Sequence, residues 1–467
     1  MSAWAIKGLL SCKFMKKNDV LKVKIEDYTE EGFGVARADG YVLFIPNTIA
    51  GEEAEVLVVK AGKRFGYAKV LKLLTRSPHR VETECPLGNR CGGCAFWHLS
   101  YEEELRLKAS RVQAQLQRIG GLSLQCEAPI GAPTPFGYRN KAQFPIRKVK
   151  GEPQAGFYAA GSHGIVSGAP CAIQPPIFNA ILEATLQFMK RRGIPAYEEQ
   201  GYSGLVRHLY LRRGEATEEI LVCLVVNARK FPLKQEFSEF LQKQFPEIKT
   251  VCINYNDQNT NVVLGKQTET VCGKGYIEDL LLGKRYRIAP QSFYQVNRAQ
   301  TEVLYKKAIE LANLSGNERV LDLYCGIGTI GLSLAEQCKE LIGVEIVPQA
   351  IENAKINAAI NGIENAEFFC ADAKDAAQKF AKEGKQFDVI IVDPPRKGCD
   401  QQTLDAIVQM APPTLVYVSC NPATLARDLK ILEANGFETI SATPVDLFPR
   451  THHCECATLL KRREADV

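Results

Sequence analysis

VLDLYCGIGTIG, residues 320–331, decides the fold. A nearly continuous apolar strand runs into a glycine turn, and a helix is expected to start near Thr329. Gly326 and Gly328 allow a tight turn whose backbone can come close to a ligand. Downstream, ELIGVEI (340–346), AEFFC (366–370), FDVIIVD (387–393) and TLVYVSC (414–420) read as strands separated by helical stretches. FETISATPVDLF (437–448) and CECATLLK (454–461) follow with no helix between them. Buried apolar strands alternating with helices predict an α/β, doubly wound, parallel sheet of seven strands, the last inserted antiparallel.

In such sheets ligands sit beyond the carboxyl ends of the strands. The groups expected to converge there are the glycine turn, Glu345, Asp393 and Cys420. Glu345 stands 19 positions after Gly326, where a carboxylate can accept hydrogen bonds from ribose hydroxyls. With Gly331 the turn also satisfies GxGxxG, so a nicotinamide dinucleotide competes for the site. The C-terminal position of the domain, its closing strand hairpin and Asp393-Pro394-Pro395 favour S-adenosylmethionine. Amine methyltransferases often place an aromatic residue after the two prolines, and Arg396 stands there instead. The thiol of Ser419-Cys420-Asn421-Pro422 lies at a strand tip, placed for nucleophilic attack. Uracil C5 is a poor nucleophile until a thiolate adds to C6, and a base must later remove the C5 proton. Glu455 is the candidate base.

Upstream, residues 14–75 alternate apolar and polar residues between glycine turns, predicting a small β-barrel. Residues 1–80 hold 14 Lys/Arg against 9 Asp/Glu, with Lys60, Lys63, Arg64 and Lys69 around one turn, which suits nucleic-acid contact. Cys85, Cys91 and Cys94 follow as C-x5-C-x2-C; zinc and an iron–sulfur cluster both suit such thiolates, with Cys126 or Cys171 as fourth ligand. A helix over 100–119 is predicted, capped by Ser100 with Glu103, and burying Leu105, Val112, Leu116 and Ile119. Residues 130–290 mix strands with the helix IFNAILEATLQFMKRR, and VRHLYLRRG and EILVCLVVN form a hairpin. Cys223, Cys252, Cys272 and Cys370 sit singly in apolar strand-like runs. Net charge is +5, which permits an anionic partner without requiring one. No apolar run approaches membrane-spanning length, so no membrane association is expected. The start, MSAWAIKGLLSCKFMKK, has Lys after its apolar stretch and no cleavage pattern, so no export signal and a reducing cytoplasmic location are expected.

SFYQVN (292–297), DLYCGIGT (322–329), VDPPRKG (392–398), SCNP (419–422) and FPRTHHCE (448–455), in this order, resemble the bacterial RNA uracil-5-methyltransferase family over nearly the whole chain. The resemblance implies Cys420 as nucleophile and Glu455 as general base. It implies cofactor contacts from Gln295, Tyr324, Thr329, Glu345, Asp372 and Asp393 beside Gly326 and Gly328, and Phe293 near the target base. Thr329 stands where some relatives carry Asn, and His453-Cys454-Glu455 replaces the usual His-Val-Glu. It selects Cys171 to join Cys85, Cys91 and Cys94 around a [4Fe–4S] cluster. The barrel resembles a TRAM RNA-binding module; barrel and cysteine segment together imply the branch acting on 23S rRNA, with no obligatory protein partner. The implied domains are 14–75, the TRAM-like barrel; 76–99 with 125–290, an α+β cluster and RNA-binding domain; and 100–124 with 291–463, the methyltransferase. Arg139, Asn140, Lys141, Arg207, Arg212 and Arg213 are candidates to line an RNA path. The rival readings are an NAD-dependent enzyme and a non-catalytic iron–sulfur RNA-binding protein.

Overall fold

The computed structural model describes residues 15–83 and 85–463. Most of the leader stretch, residue 14 of the expected barrel span and Glu84 of the expected cluster domain lie outside the described residues. The chain forms two compact units, one of residues up to 89, 94–104 and 450–452, the other of 90–93, 105–449 and 453 onward. Among the described residues no helix is long and apolar enough to cross a membrane.

The first unit holds a closed five-stranded barrel, in the order Val20–Tyr28, Gly34–Ala38, Tyr41–Ile45, Phe65–Leu73 and Glu53–Ala61. Alternate residues face inward, so Val23, Ile25, Leu43, Ile45, Val56, Val58 and Ala68 fill the barrel. Closure leaves no unpaired strand edge. Beyond the barrel, Arg80 Nε and Nη2 donate to buried Glu52 at 2.6 and 2.7 Å. Burial alone would raise the Glu52 carboxyl; Arg80 and the Ile49 and Ser77 amides hold it below its ordinary value.

The second unit contains two large sheets and, among the described residues, two two-stranded ones, Ile277–Leu281 with Lys284–Ile288 and Phe157–Tyr158 with Ile165–Val166. The first has six strands in the order Gln267–Cys272, Ile248–Tyr255, Ile220–Val226, Val206–Arg213, Lys141–Val149 and Glu152–Ala155. The expected hairpin is its centre, Val206–Arg213 pairing antiparallel with Ile220–Val226. Helices Pro176–Arg191 and Lys234–Gln242 cover one face through Phe178, Phe188 and Phe237.

The second sheet consists of β1 (Arg319–Leu323), β2 (Glu340–Glu345), β3 (Ala366–Cys370), β4 (Val389–Val392), β5 (Thr414–Ser419), β6 (Phe437–Val445) and β7 (Glu455–Arg462). Helices α1 (Thr329–Leu334), α2 (Pro348–Ile360), α3 (Ala373–Lys382), α4 (Gln401–Met410) and α5 (Pro422–Ala434) connect the first six strands. The spatial order is β3-β2-β1-β4-β5-β7-β6. Neighbours among β1–β5 pair in parallel, and β7 lies antiparallel between β5 and β6, as expected. Cys370 departs from its strand-core reading: β3 is the edge strand, and the residue is exposed.

The helix expected over 100–119 is α-helical over Tyr101–Gln115 and finishes as a π turn, Leu116–Gly120. Ser100 caps it weakly, the Glu103 amide reaching Ser100 Oγ at 3.4 Å. Val112 and Leu116 are buried in one cluster with Leu425 and Leu429 of α5, but Leu105 is only half-buried and Ile119 is exposed. The wider π turn rotates the residues after Leu116 away from the α-helical stripe. The helix instead buries a charge: Lys108 Nζ donates to Asp446 Oδ1 at 2.7 Å and to the Phe448 carbonyl at 3.1 Å.

Candidate active site

Strand register gathers the site. Leu323 of β1 pairs with Val392 of β4, so Tyr324 and Asp393, one residue on, leave the sheet side by side. Val392 pairs with Tyr417 of β5, and Glu345 closes the neighbouring β2. Because β7 runs antiparallel to β5, its first residue lies at the same edge: Ser419 pairs with Cys456, which puts Cys420 opposite Glu455. Directly paired residues across an antiparallel ladder lie roughly 5 Å apart. Glycine turn, two carboxyls, thiol and Glu345 thus share the carboxyl edge of the sheet.

The turns at this edge are stitched together. Asn421 caps α5 by accepting from the Ala423 amide, and its Nδ2 donates to the Arg396 carbonyl at 3.0 Å. Thr424 Oγ1 donates to the same carbonyl at 3.3 Å. Arg396 Nη2 meets His453 Nε2 at 3.0 Å, bridging to the segment that carries Glu455.

At the glycine turn Tyr324 takes φ +66° and Gly326 φ +57°. A Cβ on Gly326 would meet nothing within 4 Å, so the turn borders open space, and its amide donates to Glu345 Oε2 at 3.2 Å. Gly331 serves packing: its amide donates to Asp322 Oδ2 at 3.0 Å, and a Cβ there would come within 2.8 Å of that oxygen. Asp322 is buried and its Oδ1 has no hydrogen-bond partner. The hydrophobic residues after Glu345, Ile346 and Val347, are 59% and 50% exposed, leaving apolar surface beside the turn.

The electrostatics are one-sided. Burial pushes Asp322 up to about 8 and Asp393 up to about 7. Burial, then Asp393, raises Glu455 well above the carboxylate range, with Arg396 opposing. Its Oε2 has no partner. Burial, then Glu455 and Asp393, push the Cys420 thiol up to about 12, again with Arg396 opposing. This edge therefore crowds acids in low dielectric and is short of positive charge. A methyl sulfonium supplies that charge, and the exposed turn, Glu345 and the apolar Ile346–Val347 surface suit a nucleoside. The residues fit S-adenosylmethionine; the pyrophosphate of a dinucleotide would add negative charge to the same acids.

The remaining expected residues lie as follows. Asp372 caps α3, accepting from the Lys374 amide at 3.2 Å. Thr329 Oγ1 meets the hydroxyl of buried Tyr305 at 3.0 Å. The Tyr324 phenol lies beside Cys399 and Thr403. Phe293 is 66% exposed, and Gln295, 8% exposed, is held through its carbonyl by Asn140 Nδ2 at 3.1 Å. Their loop reaches the same edge, since Asn297 Nδ2 donates to the Leu447 carbonyl just past β6.

Two of the basic residues expected along an RNA path, Arg207 and Arg212, are buried in structural roles instead. Arg207 is buried and donates to the Asn256, Gln258 and Thr260 carbonyls. Arg212, 1% exposed, donates to the Tyr294 and Ser292 carbonyls and Asn140 Oδ1, supporting the loop that presents Phe293. Arg213 pairs with Glu218 at 2.8 Å. Asp322, Arg396 and His453 were not assigned to the site from sequence; the charge of Arg396 where an aromatic residue is common was the available signal. Cys85 and Cys94 fall in the first unit, Cys91 and Cys171 in the second, and all four are half-exposed. Cys126 packs against the methyltransferase core, where burial raises its thiol to about 11. Among the described residues no group of three or more His, Cys, Asp or Glu is arranged to hold a metal ion.

The sheet order and its crevice define the class of S-adenosylmethionine-dependent methyltransferases. The family profile described as tRNA (Uracil-5-)-methyltransferase matches residues 256–463, and that of the TRAM domain matches 16–71. An uncharacterized RNA methyltransferase of Bacillus cereus is 45% identical over 96% of this chain and 98% of its own length. One of Listeria monocytogenes is 42% identical over 97% and 99%. The solved tRNA (uracil-54, C5)-methyltransferase of Pyrococcus abyssi, in complex with S-adenosyl-L-homocysteine, is similar with TM-score 0.77 and 29% identity, covering 94% of this chain and 99% of that one. The chain belongs to the RNA uracil-5-methyltransferase family.

Proposed function

We propose that this protein methylates C5 of a uridine in RNA through a covalent adduct between Cys420 and C6 of the base. The observation that carries the reading is the register that sets Cys420 opposite Glu455 beside Asp393. S-adenosylmethionine, when bound, supplies an electrophilic methyl group and a positive charge; Glu345 and the Gly326 turn would hold its nucleoside, with Gln295, Tyr324, Gly328, Thr329 and Asp372 around it. A positive charge at this edge favours every ionised form there: the Cys420 thiolate, Asp393 and Glu455. Burial and the neighbouring Asp393 raise Glu455, so its carboxylate, once ionised, has a strong pull for a proton. The Cys420 thiolate forms a bond to C6, and the ring electrons pass to C5 and the carbonyl at C4. Once C5 carries its methyl group, Glu455 takes the C5 proton. The C5–H electrons restore the C5–C6 double bond, the C6–S bond breaks, and the thiolate is returned. A duplex hides C5 and C6, so the uridine must be unpaired or flipped, with exposed Phe293 beside it.

The target assigned here is 23S rRNA, on the strength of barrel and cysteine segment together. A tRNA target is the second reading, because the Pyrococcus tRNA enzyme aligns with 94% of this chain. Incubation of the protein with unmodified 23S rRNA and with tRNA transcripts, followed by mass-spectrometric mapping of 5-methyluridine, decides between them; no 5-methyluridine in either defeats the reading. A [4Fe–4S] cluster on Cys85, Cys91, Cys94 and Cys171 belongs to the same proposal on the family resemblance, which selects Cys171 and the cluster, and no step above passes through it. Iron and sulfide near four per chain in anaerobically purified protein, lost in Cys91→Ser, is the expected result; their absence removes the cluster. The cytoplasm is the proposed location.

A further inference from the structure

The barrel carries a surface that its own folding does not use. Strand alternation sends Leu43, Ile45 and Ala68 into the core and Phe44, Phe65 and Tyr67 outward. Parallel pairing of Val42–Phe44 with Phe65–Tyr67 sets the three rings side by side. Their centroids are 5.4, 5.7 and 6.1 Å apart, and Phe65 is 46% exposed. Lys60 pairs with Tyr67 across the ladder and holds its Nζ 5.9 Å from that ring. Lys63 and Arg64 immediately precede Phe65, and Lys69 continues the outward row beyond Tyr67. All four cations are exposed, and none makes an ion pair among the described residues; ion pairs of the barrel unit run elsewhere, Arg37 to Glu26 and Arg80 to Glu52. The turn between Lys60 and Phe65 is fixed, with the Tyr41 hydroxyl 3.0 Å from both the amide and the carbonyl of Gly62.

We infer that this face is a stacking platform for unpaired bases of the RNA substrate, with the four cations on the adjoining phosphates. The inference rests on the proposed function in taking RNA as the partner. Charge complementarity selects the occupant: the centres of protein–protein interfaces are depleted in lysine, whereas exposed rings ringed by unpaired cations suit a polyanion with flat bases. A duplex offers phosphates but hides its base faces, so a single strand is the better fit.

The test uses the full chain, a fluorescein-labelled twelve-residue oligouridine and a duplex of equal length, read by anisotropy. The single strand is expected to bind more tightly than the duplex. Phe65→Ala with Tyr67→Ala is expected to weaken it about tenfold or more, as loss of base–aromatic stacking does. Phe65→Trp is expected to retain binding. Lys60→Ala with Arg64→Ala is expected to flatten the salt dependence by roughly 0.7 in log–log slope per cation removed. Unaltered melting temperature and S-adenosylhomocysteine response in each variant establish folding, since the barrel core is untouched. Equal binding of single strand and duplex, or wild-type affinity in the double aromatic variant, overturns the platform. Methyl transfer by the same wild-type preparation is scored separately, so loss of the enzymatic reading and loss of this surface are distinct results.

Discussion

The two large sheets of the second unit hold charged groups in opposite ways. In the six-stranded sheet the buried charges are guanidiniums netted by carbonyls: Arg207 by three, Arg212 by two and an amide oxygen. In the seven-stranded sheet they are acids at one edge, with Asp322 Oδ1 and Glu455 Oε2 lacking any partner. A guanidinium cannot lose its charge and gathers acceptors for most of its donors, whereas a carboxyl can take up a proton and wait. Permanent charge held by several carbonyls, with only the Nε of Arg207 and of Arg212 left without a partner, makes a scaffold; raised acids short of counter-charge make a site ready for a cation.

The sharpest way to break this contrast is to remove the chemistry at the edge. Cys420→Ala is expected to abolish methyl transfer. Glu455→Gln is expected to lower turnover about 10²–10⁴-fold and to accumulate a protein–RNA adduct seen as a shifted band on denaturing gels. Normal turnover in either variant ends the assignment. Next in size is the buried pair Lys108–Asp446: Lys108→Ala is expected to cost about 3–5 kcal/mol in denaturant unfolding, because it removes the buried ammonium that Asp446 and the Phe448 carbonyl face.

The pH dependence sharpens the contrast further. The raised folded-state values of Asp322, about 8, and Asp393, about 7, mean that the empty protein binds more protons folded than unfolded. Their contribution to stability is complete below the unfolded carboxylate range and is lost progressively as pH rises from there to about 8, so the melting temperature falls across that whole span and levels off above it. S-adenosylmethionine, a cation, is expected to bind more tightly as pH rises through about 7 and to displace protons in calorimetry across two buffers; neutral S-adenosylhomocysteine is expected to do so less. Identical proton release for the two ligands refutes the electrostatic account. The smallest effect belongs to an exposed pair of the other sheet: Arg213→Ala, losing only Glu218, is expected to change stability by less than about 1 kcal/mol.

The doubly wound sheet, the antiparallel last strand and the glycine turn were legible in the sequence because strand and helix periods and turn residues are local properties. Cys420, Glu455, Asp393 and Glu345 were legible as candidates because a parallel sheet places strand ends at one edge. Ile119, read as buried, is exposed where the helix widens, and Arg207 and Arg212, read as RNA contacts, lie inside the protein. A basic residue on a strand looks the same in sequence whether carbonyls or solvent surround it.

By itself, then, the sequence determined the order of the elements and which chemically reactive residues end the strands. Only the tertiary structure decided which charges are buried, which acids Asp393 raises and which cations of the barrel stay exposed. Burial and electrostatic coupling depend on partners far along the chain: Asn140 and Ser292 around Arg212, Asp446 against Lys108, Asp393 beside Glu455. Local pattern carries no record of those distances.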